Sequence, residues 1–422
     1  MTPVPARADV VVVGAGLAGL AAAVGLTRAG VDVCVLERGD AVGGRVRTDR
    51  REGLLLDRGF QLLNPSYPAV QQLLDVAALD LRPFEAGVVV ARGEGRAVVA
   101  DPRRSPRHAA STLMGPGTLR EKLALLRWAA AVGYGDPRRI TRTPDEPYAD
   151  TLRHQHVDGE LSRCVLEPFL AGVLGEDQQQ TSRRFVELVL RSFVRGTPAL
   201  PATGMQAIPE QLAARLPDDV LHLEQPVESL DRTTVVTSSG RIAAAAVLVA
   251  TDGLAAHRLL GLPAPPQRAL TTFYHLADSP PTRRAILHVD GDRRGPVVNS
   301  AVVSNVAPSY AAGGRVLVST TVLGDHDDSA TEHSVRQQLR WLYGCDPTRW
   351  ELAATYAIPH ALPAMLPPLT IRQPVALGDG RFVAGDHRDT ASIQGALVSG
   401  RRAAHAILDH LGHPRRKEHR AR

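Results

Sequence analysis

Gly14-Ala-Gly16-Leu-Ala-Gly19 groups three glycines whose spacing suits the binding of a diphosphate. The first permits a tight turn, the second lets the backbone approach the anion, and the third lets a helix pack closely on the strand before it. N–H groups at the start of that helix lack intrahelical partners, and its macrodipole favours negative charge there. Ala15 and Ala18 belong to the same turn. Glu37 follows about twenty residues on, where a carboxylate accepts from ribose hydroxyls. The pattern predicts a dinucleotide site and leaves NAD and FAD both open.

A second run narrows the choice. Arg38-Gly-Asp-Ala-Val-Gly43-Gly44-Arg45 follows the acid directly. Its glycine pair and Arg45 add another backbone approach and a cation for the same pyrophosphate, which an NAD-only site does not need. Far along the chain, Gly385-Asp386 follows a short strand and precedes Thr390-Ala-Ser392-Ile393-Gln-Gly395, which opens the last helix. Asp386 would accept from ribityl hydroxyls. The helix start would stabilise the negative charge of a reduced flavin near N1 and the C2 carbonyl. Both ends together select FAD.

These residues need elements to hold them. Asp9–Val13 reads as a fully buried parallel strand, Leu17–Ala29 as a helix closed by Gly30, and Asp32–Leu36 as a second strand. From Leu113 to Gly196 the character is helical, with apolar residues at helical spacing in Leu119–Ala129 and Phe185–Val194. Strands return at Val227–Val236 and Ala245–Ala250. A mixed region carries the strand Arg315–Thr320 and the helix His333–Tyr343, and the chain ends with strand Arg381–Ala384 and helix Ile393–Leu411. The expected organisation is an FAD-binding domain assembled from residues 1–85, 200–262 and 352–412. A substrate domain with a helical lobe takes 86–199 and 263–351, and 413–422 is a basic tail.

The chain resembles the flavin-containing amine oxidase and phytoene desaturase superfamily. The resemblance rests on Val11–Thr48, Asp57-Arg-Gly-Phe-Gln-Leu-Leu63, Leu200–Pro209, Pro226-Val-Glu-Ser229, Val247–Asp252, Tyr356–Pro363 and Ala384–Ile407. It implies an α/β fold of the p-hydroxybenzoate-hydroxylase type, in which a Rossmann-like FAD-binding domain carries a mixed α+β substrate domain and a helical insert. It implies hydride removal by flavin N5. Carried across, Gly14, Gly16, Gly19, Gly43, Gly44 and Arg45 serve the pyrophosphate region, and Glu37 the adenosine ribose. Val227 contacts adenine through its backbone. Gly59, Phe60 and Gln61 lie near the isoalloxazine, while Asp386, Ser392 and Ile393 hold the ribityl and pyrimidine side.

The chain also departs from the amine oxidases it resembles. Many of them use a lysine that holds a water near N5, but lysine occurs here only at Lys122 and Lys417. Cys34, Cys164 and Cys345 all lie outside the Tyr356–Asp386 region, so the FAD is expected to be noncovalent. Of the paired aromatic cage only Tyr356 is in place, with His360 and His387 nearby. A dry tunnel that aligns a C–H bond with N5 asks less of the protein, and the Leu-, Val- and Phe-rich helical segment would line it or rest on a membrane. The expectation is therefore an FAD-dependent oxidoreductase that dehydrogenates an apolar small molecule, with no catalytic acid or base assigned. With no second GxGxxG for NADPH, electrons are expected to leave to oxygen or a quinone. An atypical amine oxidase and a noncatalytic flavoprotein scaffold are the competing readings; the intact glycine motifs count against the second.

Composition limits the partners. At 422 residues the chain exceeds a single hydrophobic core. The net charge of +5 rests almost wholly on arginine, and aromatics are only 4%, with no helix-turn-helix, zinc or RNA-module pattern. Nucleic acid is not expected; a solvated surface or attraction to anionic lipid fits better. Three separated cysteines without a CxxC pair suit a reducing cytoplasmic compartment. The apolar start after Asp9 is broken by glycines, as befits a buried strand and helix rather than a signal peptide.

Overall fold

Val10, Val11 and Val12 are wholly buried in the first strand, Arg7–Val13, as a β-branched run covered on both faces requires. The computed structural model describes residues 4–413. Arg7–Val13 pairs in parallel with Val33–Leu36 on one side and with Gly240–Val249 on the other. Leu221–His222 and Arg381–Val383 extend the sheet in parallel beyond these two. The hairpin Val227–Asp231 and Thr234–Thr237, with Ala376–Gly378, completes eight strands. The single strand read over Val227–Val236 is thus split, because Arg232 turns at φ 54°.

Other segments form a second sheet. Its seven strands run in the order Glu351–Pro363, Gln267–Ala277, Val316–Leu323, Val297–Val302, Leu287–Asp290, Gly87–Arg92 and Gly95–Ala100. Only Leu287–Asp290 and Gly87–Arg92 pair in parallel. Glu351–Pro363 was read with the nucleotide half, yet it is registered along Gln267–Ala277, with Thr272 opposite Tyr356. Most of this strand is half-buried without clear alternation, so its pattern did not announce which sheet it joins. Asp57 ties four other segments together. Its buried carboxylate accepts from the Thr48 hydroxyl, the Met205 N–H and the Tyr310 hydroxyl, and its carbonyl accepts from Tyr274. Burial pushes the Asp57 carboxyl up to about 6.

Six helices matter for the site. Helix α1, Leu17–Arg28, follows the first strand, with Gly30 beyond its end at φ 83°. The helical lobe supplies α2, Leu119–Tyr134, α3, Glu167–Leu174, and α4, Arg183–Arg195. Helix α5, Gly253–Leu260, is capped by the Asp252 carboxylate, and α6, Ile393–His410, lies against α1. Among the described residues no helix is long and apolar enough to cross a membrane.

Candidate active site

A groove of about 830 Å³ opens at the C-terminal ends of the parallel strands and continues between α3, α4 and the second sheet. Its first half is built by main chain. Gly14, Gly16 and Ala18 line it, as do Gly43 and Gly44. A Cβ placed on Gly16 would meet no protein atom within 4 Å, whereas one on Gly19 would lie 2.0 Å from the Gly14 carbonyl oxygen. Gly19 is therefore required by packing, while at Gly16 the open space faces the groove. Helix α1 starts there without a side-chain cap, so its first N–H groups remain for an anion.

Two expected residues stand behind the wall rather than in it. Ala15 and Gly19 do not line the groove. The Ala15 N–H donates instead to Glu37 Oε2 at 2.8 Å, and the Gly39 N–H donates to Oε1 at 2.8 Å. Glu37 thereby clamps the glycine turn to the second strand. It also lines the groove, and each carboxylate oxygen keeps a second lone pair for a hydroxyl. Arg38 and Val227 line the same end.

Arg45 and Asp386, expected to act on different parts of the cofactor, meet each other across 2.7 Å. Arg45 also donates to the Ala361 carbonyl at 2.7 Å. Burial works against the Arg45 charge, but the Asp386 carboxylate beside it prevails and holds the guanidinium above its usual range. Gly385 precedes this pair in the groove wall, and Ser392 and Ile393 follow it at the start of α6. Ser392 Oγ accepts the Gly395 N–H at 3.1 Å, capping the helix.

Gly59, Phe60 and Gln61 occupy the middle. Gln61 Nε2 donates to the carbonyls of Arg45 and Arg58, at 2.7 and 3.1 Å, while its buried Oε1 has no partner. An orphaned acceptor facing a groove calls for a donor from a ligand. The bare backbone at Gly16, the uncapped helix start, the Glu37 carboxylate and this acceptor fit a dinucleotide extended along the groove.

The far half is apolar. Phe169 and Val173 of α3 and Phe185, Val189 and Phe193 of α4 face Leu270, Leu287, Ile358 and Leu362 of the second sheet. A few polar groups join them: Asn64, Tyr67, Ser192, Thr272 and Asn299. No spacing in the sequence marks these five. They converge only when the loop at 58–67 folds over α4, with Asn64 Nδ2 donating to the Ser192 carbonyl at 2.9 Å.

Other candidates fall elsewhere. Lys122 Nζ donates to the carbonyls of Leu113 and Gly115 on the outer lobe, and Lys417 lies outside the described residues with the rest of the tail from 414. The Tyr356 hydroxyl donates to Asp49 at 2.8 Å, and His360 is exposed; neither lines the groove. His387 is buried facing a separate cavity beside Pro265 and Met365, where burial pushes it down to about 4. No cysteine, lysine or histidine is among the groove-lining residues.

The family match gives the class, the flavin-dependent oxidoreductases of the amine oxidase superfamily. Within it, the chain belongs to the flavin containing amine oxidoreductase family, whose sequence pattern matches residues 17–408. Over 240 residues it is 31% identical to putrescine oxidase of Kocuria rosea, covering 53% of this chain and 49% of that one. Over 258 residues it is 25% identical to protoporphyrinogen oxidase 2 of Arabidopsis thaliana, covering 52% and 50%. The chain thus spans about half the length of these curated relatives. Cyclohexylamine oxidase from Brevibacterium oxydans shares the fold, with a TM-score of 0.70 at 18% identity, over 96% of this chain and 99% of that one.

Proposed function

We propose that the chain binds FAD noncovalently and dehydrogenates an apolar small molecule, passing the electrons to oxygen or a quinone. The observation that carries this reading is the continuity of one groove from a main-chain diphosphate cradle to an end walled by Phe169, Phe185, Val189 and Phe193. Bound flavin supplies a hydride acceptor at N5. The protein's part is to hold and to exclude. Glu37 would hold the adenosine ribose, the α1 start would receive the diphosphate, and the Arg45–Asp386 pair would keep buried charge neutralised along the ribityl side. The phenyl and valyl side chains orient an apolar substrate by burial at about 25 cal/mol per Å² and keep water from the reacting bond. The lack of cysteine and histidine among the lining residues favours a cofactor that is held without a covalent bond. The nucleotide half is taken as 1–85, 200–262 and the segment after Pro363, the remainder carrying substrate.

The relatives name two substrate chemistries, an alkyl diamine and a porphyrinogen. Anaerobic titration of the yellow holoprotein with a polyene, a porphyrinogen and putrescine separates them. Bleaching by an apolar compound is expected. Bleaching by putrescine alone would reject the apolar reading in favour of amine oxidation. A protein that cannot be loaded with flavin would overturn the proposal as a whole.

A further inference from the structure

We infer that the outer face of α2, with the turn before it, docks on an anionic lipid bilayer. Six of the eight exposed large apolar side chains among the described residues fall between 113 and 134. Leu119, Leu123 and Leu126 form one stripe along α2 at successive helical turns, and Tyr134 ends it. Leu113 and Met114 lie beside its start, because Lys122 Nζ donates to the Leu113 and Gly115 carbonyls at 2.7 and 2.8 Å. The opposite side of α2 already serves the core through Trp128 and Val132. A helix with one face packed on its own lobe ordinarily turns polar residues outward. This one turns leucines.

The charge beside the stripe says what covers it. Arg120 and Arg127 are exposed next to the leucines, and neither forms an ion pair among the described residues. Glu121, the one acid on α2, is turned away: it accepts the N–H groups of Thr118 and Leu161. At the far end Arg103, itself paired with Asp101 at 2.6 Å, donates to the Tyr134 hydroxyl at 2.7 Å, so the uncompensated charge is that of Arg120 and Arg127. Leucines bordered by uncompensated arginines and a tyrosine match acyl chains beneath phosphate headgroups. A second copy of this chain would instead set the same positive charges against each other. Behind α2, helix α4 presents Phe185, Val189 and Phe193 to the groove, so the docked face lies one helix away from it. Lipid docking by this face does not depend on what the groove oxidises, since it is measured without turnover.

Flotation of the full-length holoprotein with phosphatidylglycerol or phosphatidylcholine vesicles tests it. The wild type is expected to float with phosphatidylglycerol. The combined variant Leu119→Ser, Leu123→Ser, Leu126→Ser should lower the partition coefficient at least ~10-fold while keeping every charge, which separates this face from the basic residues beyond His413. Arg120→Glu with Arg127→Glu should lose the preference for anionic over neutral vesicles. Leu123→Trp preserves an apolar face, and brominated acyl chains should quench its fluorescence. The inference is overturned by absence of flotation, by flotation indifferent to the serine variant, by an unquenched tryptophan, or by a wild-type dimer that the serine variant turns into a monomer.

Discussion

Single residues divide into those the fold needs and those only a ligand needs. Gly16→Val adds a side chain to open groove space, so the apoprotein should melt as the wild type does while flavin absorbance after reconstitution disappears. Gly19→Ala forces a Cβ against the Gly14 carbonyl and should lower stability by about 1–3 kcal/mol in urea unfolding, with or without flavin. Equal behaviour of the two variants would contradict the division. Arg45→Ala strands the Asp386 carboxylate and should cost about 1–3 kcal/mol, moderated because Arg45 is a third exposed. Adding Asp386→Asn should recover part of that loss, which a double-mutant cycle reads directly. The glycines and Glu37 were legible in the sequence because backbone geometry dictates them. The Arg45–Asp386 contact was not: 341 positions separate the two side chains, and each alone looks like a cofactor ligand. The groove polar groups Asn64, Ser192 and Asn299 were illegible for the same reason, since only the tertiary fold brings them together.

At the scale of elements, the lobe depends on how closely α2 approaches α4. A Cβ on Gly133 would fall 2.3 Å from Val194 Cγ1, so the glycine sets the spacing of the pair. Gly133→Leu should push α2 outward, destabilise the lobe by about 1–3 kcal/mol and shift the emission of Trp128, whose indole N–H donates to Glu187 at 3.2 Å. Unchanged emission and an unchanged unfolding midpoint would mean that the two helices tolerate a wider gap. The helices were readable because apolar residues recur at helical spacing in Leu119–Ala129 and Phe185–Val194. The second sheet was mostly not. Its strands come from distant parts of the chain, and Thr271, Thr272, Ser300, Thr320 and Thr321 are buried in it as polar residues that blur any alternation. Hydroxyls satisfied inside a sheet, as between Ser300 and Thr320 at 2.9 Å, imitate solvent-facing positions in the sequence.

Across the whole molecule, buried titrating groups oppose one another. His288 and His387 are both held down at about 4 by burial, against an ordinary 6.5. As the pH falls from 6.5 towards 4, the unfolded chain takes up protons that these folded imidazoles refuse, so their contribution to stability is lost in that window. Asp57 and Asp389, raised to about 6 by burial, act in the other direction: their contribution is full below 3.8 and lost as the pH rises through 6. His387→Phe removes one histidine from the balance. Relative to wild type it should gain stability on acidification by up to about 1.4 kcal/mol per pH unit between those limits, as urea midpoints at several pH values would show. Parallel pH profiles for variant and wild type would count against it. The first and last helices among the described residues also meet: a Cβ on Gly400 of α6 would lie 2.1 Å from the Ala18 carbonyl oxygen of α1. Synthesis runs from one to the other, so the nascent chain brings α6 against the α1 turn only after residue 410 has left the ribosome. Chains stalled ahead of residue 393 should stay colourless in excess FAD, whereas chains extended well past residue 410 should turn yellow.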